Sequence, residues 1–121
     1  MKPVFFISIV FVLAACAAPR PAPDVFDAAE QSIRLAEAAG GDEFAPVEMR
    51  FAREKLVSAK SGMEKQKYEV VVYLAAESEI NAELAIEKSR TAKSRRQANE
   101  LRKSNEALHS KLVETFGDEF K

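Results

Sequence analysis

Three properties of this chain predict an all-α fold. All five prolines lie at or before Pro46, so nothing in the roughly seventy residues that follow forbids a helix except Gly62. Glycine occurs only at Gly40, Gly41, Gly62 and Gly117, where it punctuates the sequence. Between these points apolar residues recur at spacings of three and four, the period of an amphipathic helix. The expected architecture is a short antiparallel helical hairpin or three-helix arrangement with one long C-terminal helix, after a cleaved signal peptide and a proline-rich tether.

The chain opens with one cation, Lys2, and an apolar stretch over residues 3–15 that contains Phe5, Phe6, Ile7, Ile9, Val10, Phe11, Val12 and Leu13. That is the order of an export signal. At about 20 Å as a helix it is too short to span a bilayer core permanently, which takes about 20 residues. It ends in Leu13-Ala14-Ala15-Cys16, which resembles a bacterial lipobox: small residues suit a peptidase groove, and the only cysteine of the chain supplies a thiol for acylation. Cleavage is expected between Ala15 and Cys16. An exported protein with one thiol forms no internal disulfide, and acylation would occupy that thiol. The resemblance implies a diacylglyceryl group and an amide-linked acyl chain such as palmitate on Cys16, and two or more chains hold a protein stably on a membrane. Ala17 is not aspartate, which in a host with two membranes implies, by the sorting rule of such lipoproteins, the outer membrane, facing the periplasm.

Residues 16–23 read as the lipidated cysteine and its tether. Pro19, Pro21 and Pro23 alternate with other residues and favour extended backbone, about 3 Å per residue. A helical domain is expected over residues 24–90. Its first helix is predicted to start at Asp24, with Asp27 in the first turn and an apolar stripe of Phe26, Ala29, Ile33 and Ala36. Gly40 and Gly41 end it. Asp42 to Ala45 form a tight connection, and Pro46 suits the first position of the second helix. Met49, Ala52, Leu56, Ala59 and Met63 form the cleanest stripe in the chain, and Gly62 with the polar residues after it is expected to mark the next turn.

From Tyr68 to Phe116 the pattern predicts one helix of nearly fifty residues, about 73 Å long, stopped by Gly117. Its first half carries two apolar stripes. One is Tyr68, Val71 or Val72, Ala75, Ala82 and Ala85 or Ile86; the other is Tyr73, Ile80 and Leu84. Two stripes ask for two neighbours, which the shorter helices would supply. Residues 91–121 form an extension those helices cannot reach. There Ala98, Leu101, Asn105, Leu108 and Leu112 fit alternate a and d positions of a coiled coil, and a polar Asn105 at a selects dimers and register. Glu100 and Glu106 beside Lys103 offer ion pairs along the same helix.

The stretch Gly41-Asp42-Glu43-Phe44-Ala45-Pro46-Val47-Glu48, followed by Ala52-Arg53-Glu54-Lys55-Leu56, Ala59, Tyr68-Glu69 and Leu74-Ala75-Ala76-Glu77, resembles a bacterial family called domain of unknown function 4398. The resemblance covers roughly residues 24–90. It implies a helical envelope lipoprotein and carries no catalytic residues to transfer.

The chemistry in the sequence is sparse. His109 is the only histidine, on a polar stretch with no base-and-orienter arrangement around it. Glu79, Glu83 and Glu87 share a helical face but lack the histidines of a carboxylate metal site. Neither an enzyme nor a cofactor or metal is expected. With 18 Lys and Arg against 19 Asp and Glu, the balance is mildly acidic, and with an export signal this excludes nucleic acid as a partner. Charge is uneven along the long helix: glutamates at 77, 79, 83 and 87 precede a block of Lys88, Arg90, Lys93, Arg95, Arg96, Arg102 and Lys103 that suits an anionic surface or partner. The expected role is a lipid-anchored bacterial envelope protein acting as a structural or adaptor module. Its expected partners are the membrane through Cys16, an envelope protein or peptidoglycan, and a second copy through Leu101, Asn105, Leu108 and Leu112. The alternatives are a membrane-to-peptidoglycan spacer, in one version linked through Lys121, and an accessory subunit of an envelope enzyme or transport complex.

Overall fold

The structure is a computed structural model that describes residues 19–117. The signal stretch, Ala15, Cys16 and Lys121 lie outside the described residues. Four helices follow in order: α1 (Asp27–Ala38), α2 (Gly41–Phe44), α3 (Pro46–Glu64) and α4 (Tyr68–Phe116). No strand occurs among the described residues. The all-α expectation holds, and the long helix has the predicted bounds.

The start of α1 differs from the sequence expectation. The Val25 amide donates to the Ala22 carbonyl at 3.2 Å and the Asp27 amide to the Asp24 carbonyl at 3.0 Å. Two successive turns therefore precede the helix, the first with Pro23 at the second position, where its fixed φ is favourable. Asp24 is spent in these turns, and no side-chain cap forms at the helix start. Asp27 and Glu30 still place negative charge in the first turn. Ala29, Ile33 and Ala36 are buried as predicted, joined by Ser32.

Gly40 ends α1 in the left-handed conformation at φ 87°, which glycine adopts without penalty. The connection to Pro46 is itself a helical turn, α2, rather than an irregular link. Gly41 at its start is required by close approach: a Cβ there would lie 2.9 Å from the Ala36 carbonyl oxygen and 2.7 Å from the Met49 sulfur.

Gly62 does not break α3. The helix runs on to Glu64, with Gly62 buried against α4 and a hypothetical Cβ 3.2 Å from a Val71 methyl. The turn falls at Lys65, Gln66 and Lys67 instead. The Lys67 amide donates to the Gly62 carbonyl at 2.9 Å and the Gln66 amide to the Met63 carbonyl at 3.1 Å, the paired bonds of a Schellman motif. Gln66 takes the left-handed position at φ 57°, a place that glycine usually fills. The pattern was invisible in sequence because the usual residue is absent.

The core is built from small residues. Ile33, Ala36, Ala45, Met49, Ala52, Ala82 and Ala85 form one buried cluster, with Leu56 and Ile86 packed at its edge. Alanine at these positions lets helix backbones approach closely, and Met49 fills the irregular space left between them. Both α1 and α3 lie against α4, on the face that carries Val71, Ala75, Ser78, Ala82, Ala85 and Ser89. The two buried hydroxyls of α4 are satisfied: Ser78 donates to the Ala52 carbonyl across the α3–α4 contact and Ser89 to the Ala85 carbonyl of its own helix, both at 2.7 Å. The second stripe is not covered. Tyr73 is 63% exposed and Ile80 61%, and Leu84 is exposed beside them. Both short helices use one broad face of α4, so a second neighbour for the opposite face never arises.

Candidate functional site

Salt bridges reinforce the covered half of the molecule at its edges. Arg53 on α3 donates to Asp42 at 2.7 Å and to Glu37 at 2.8 Å, joining α3 to α2 and α1. Lys60 reaches Glu30 at 2.7 Å, and Lys55 reaches Glu77 at 2.5 Å. Lys88 pairs with Glu48 across the α3–α4 contact. The hydrogen bond from Lys88, then the Glu48 backbone amide, holds the Glu48 carboxyl below its ordinary range. Lys60 does the same to Glu30, Arg53 to Asp42, and Lys55 followed by Tyr73 to Glu77. These groups bind α1 and α2 to α3 and α3 to the first half of α4. Their role is structural.

The last buried residue of α4 is Ser89 and the next to be partly covered is Ala92; from Lys93 to Leu112 every residue is exposed. At the junction a shallow groove of about 420 Å³ is lined by Phe44, Leu84, Thr91 and Ala92, with Lys88 and Arg95 on its rim. Lys93 lies over the Phe44 ring at 5.8 Å, and Arg96 reaches Glu43 at 3.4 Å. These are the last ties between α2 and the long helix. Beyond them α4 continues alone.

On that solitary segment Leu101 is 66% exposed and Leu108 56%, with Leu112 and Asn105 exposed on the same side. The helix thus presents the four residues as one apolar edge with a polar insertion, and within the single chain nothing packs on them. Glu100 turns to Arg96 at 3.7 Å rather than to Lys103, because the i−4 neighbour stands on the same face one turn back. The basic block does not form a single patch. Lys88, Arg95 and Arg102 stay on one side at seven-residue spacing, whereas Arg90, Arg96 and Lys103 point elsewhere around the cylinder.

His109 is exposed. Glu87 pairs with Arg90 at 2.6 Å instead of joining Glu79 and Glu83. Among the described residues no group of three His, Cys, Asp or Glu side chains is arranged to hold a metal ion, and no helix is long and apolar enough to cross a membrane. No buried side-chain nitrogen or oxygen among them lacks a hydrogen-bond partner. Large exposed apolar side chains occur on α1 and α3 at Leu35, Val47, Phe51 and Val57, and most of the others lie on α4. Sequence reasoning identified the leucines and Asn105 but not the groove beside Phe44, since only the fold brings α2 against residues 84–95.

A family described as "Domain of unknown function (DUF4398)" matches residues 24–101. That is well over half of the chain, which therefore belongs to the family, and the matched region ends on the solitary part of α4. No curated protein and no solved structure matches the chain.

Proposed function

We propose that this member of the DUF4398 family is a lipid-anchored bacterial envelope protein, a non-enzymatic helical adaptor that holds a partner at a distance from the membrane. The observation that carries this reading is the division of α4 into a half packed against α1 and α3 and a half that leaves them. A helix of 49 residues is about 73 Å long, whereas its neighbours bury residues only in its first half, up to Ser89. Most helical stability in proteins comes from packing an amphipathic face, so a solitary segment with exposed Leu101, Leu108 and Leu112 gains from binding something. The anchor rests on the lipobox-like Leu13-Ala14-Ala15-Cys16, whose cysteine stands eleven residues before α1 begins at Asp27. The length of α4 also suits a membrane-to-peptidoglycan spacer, in which the same rod would meet the wall instead of a protein.

Two experiments test the parts separately. Photo-crosslinking residues placed at Leu101 and Leu108 in whole cells should capture one discrete partner, and capture of peptidoglycan fragments in its place would turn the adaptor into a spacer. A Cys16→Ser variant should lose membrane association and retain its full precursor mass. If it still sediments with membranes, the lipid anchor is wrong.

A further inference from the structure

We propose that α4 is one strand of a heteromeric coiled coil, and that the partner is a protein helix carrying Glu or Asp at seven-residue spacing beside its own apolar seam. The proposal deepens the adaptor reading and rests on it. In the heptad frame set by Ala98, Leu101, Asn105, Leu108 and Leu112, the same a and d positions run back to Leu84, Ile80 and Tyr73. All three are exposed, and they lie on the face turned away from the buried Val71, Ala75, Ser78 and Ala82. The short helices leave Tyr73 and Ile80 uncovered and Leu84 at the edge of the groove. Glu77, at an a position and held by Lys55 of α3, interrupts the seam between Tyr73 and Ile80, and Glu87, Thr91 and Ser94 interrupt it again where Phe44 and the groove approach.

The edges of the seam choose the occupant. Lys88, Arg95 and Arg102 fill three successive e positions, while the g positions hold Glu83, Arg90, Gln97, Ser104 and Lys111. Residues at e and g set partner choice in coiled coils. In a parallel pair of identical chains Arg90 would meet the second copy's Arg95, and Glu87 would meet its own equivalent at d. In an antiparallel pair e faces e, so Lys88, Arg95 and Arg102 would meet one another. Either arrangement brings like charges together; in the parallel one Glu83 at g would meet the second copy's Lys88, but nothing acidic at g stands opposite Arg95 or Arg102. An acidic rail on a different helix meets Arg95 and Arg102 favourably; Lys88 is already held by Glu48 of α3. Within the chain Arg95 enters no ion pair among the described residues, and Arg102 only leans on Asn99 at 3.1 Å. A bilayer fits less well, because an interfacial helix buries a broad apolar face and this one offers a narrow a/d seam.

The test uses the full chain in detergent and a labelled synthetic peptide of about four heptads, with Val at a except one Asn, Leu at d, and Glu at e and g. One control peptide replaces Glu with Lys; a second keeps Glu and replaces the a and d residues with Ser. The acidic peptide should bind at least about tenfold more tightly than either control, a difference of about 1.4 kcal/mol. The double variant Arg95→Glu, Arg102→Glu should reverse the preference toward the Lys peptide; both sites are exposed and its helicity should match the parent by circular dichroism. Equal binding of the Ser-substituted acidic peptide would reduce the effect to unspecific charge attraction and overturn the proposal. So would a chain that sediments as a dimer and takes no peptide, or one that binds vesicles of anionic phospholipid and neither peptide. Nothing in this test depends on Cys16, so the anchor and the coiled coil can fail independently.

Discussion

The two halves of α4 share a backbone conformation and differ in what keeps it. Residues 71–89 are helical with α1 and α3 packed on them, and after Val71 the buried residues that face those helices are small: Ala75, Ser78, Ala82, Ala85 and Ser89. Residues 93–112 are entirely exposed, and there the large aliphatics Leu101, Leu108 and Leu112 occur. Side-chain size follows the neighbour's distance. A close neighbour inside the chain needs alanine and serine so that backbones can approach, while leucine projects far enough to meet a helix that the chain itself does not supply.

The sharpest way to break this contrast is to open the core of the covered half. Met49→Ala should lower stability by about 2 to 5 kcal/mol, because α1, α2 and α4 cannot all collapse into the space left; thermal or urea unfolding followed by circular dichroism measures it. Ala82→Leu should cost about 1 to 3 kcal/mol by forcing α3 away from α4. The equivalent enlargement on the solitary half, Ala98→Leu, should be close to neutral in the same assay. A large penalty there would mean the segment is already covered.

Acidification probes the cross-helix ion pairs. Glu30, Glu48, Asp42 and Glu77 are held below their ordinary carboxyl range by Lys60, Lys88, Arg53 and Lys55. Their contribution to stability is complete above the unfolded pKa and is lost as pH falls through the lowered folded values. The melting temperature should therefore decline on passing below the ordinary carboxyl pKa of about 4.5. The decline should be modest, since exposed pairs contribute little each, and high salt should shrink it. A melting curve indifferent to pH down to about 3 would show these pairs to be energetically silent.

A smaller effect concerns the turn that feeds the long helix. Gln66→Gly should stabilise by some tenths of a kcal/mol to about 1 kcal/mol, since the left-handed conformation at φ 57° costs glycine nothing. The smallest effect distinguishes the two halves most directly. Leu108→Ala should change the unfolding free energy of the monomer by no more than about 0.5 kcal/mol while weakening capture of the partner. Loss of monomer stability beyond that would place Leu108 in an internal contact.

Most of the fold was legible because its signals are local. Pro46 set the start of α3, the glycine pair closed α1, Gly117 stopped α4, and the stripe from Met49 to Met63 identified the inward face. The errors have a common origin. Asp24 looked like a cap until two turns used its backbone, Gly62 looked like a breaker until Val71 packed on it, and Gln66 gave no sign of a left-handed turn. The stripe of Tyr73, Ile80 and Leu84 reads in sequence as a second buried face, because periodicity reports amphipathicity and says nothing about which amphipathic face finds a neighbour.

By itself the sequence determined that the chain is helical, where its helices end and which residues each could bury, because helix propensity, proline, glycine and a period of 3.6 act over a few residues. Tertiary structure decided that both short helices share one side of α4, that Gly41 and Gly62 serve close packing, and that the other side stays open. Those outcomes depend on distances between segments far apart in sequence, which a local pattern does not contain.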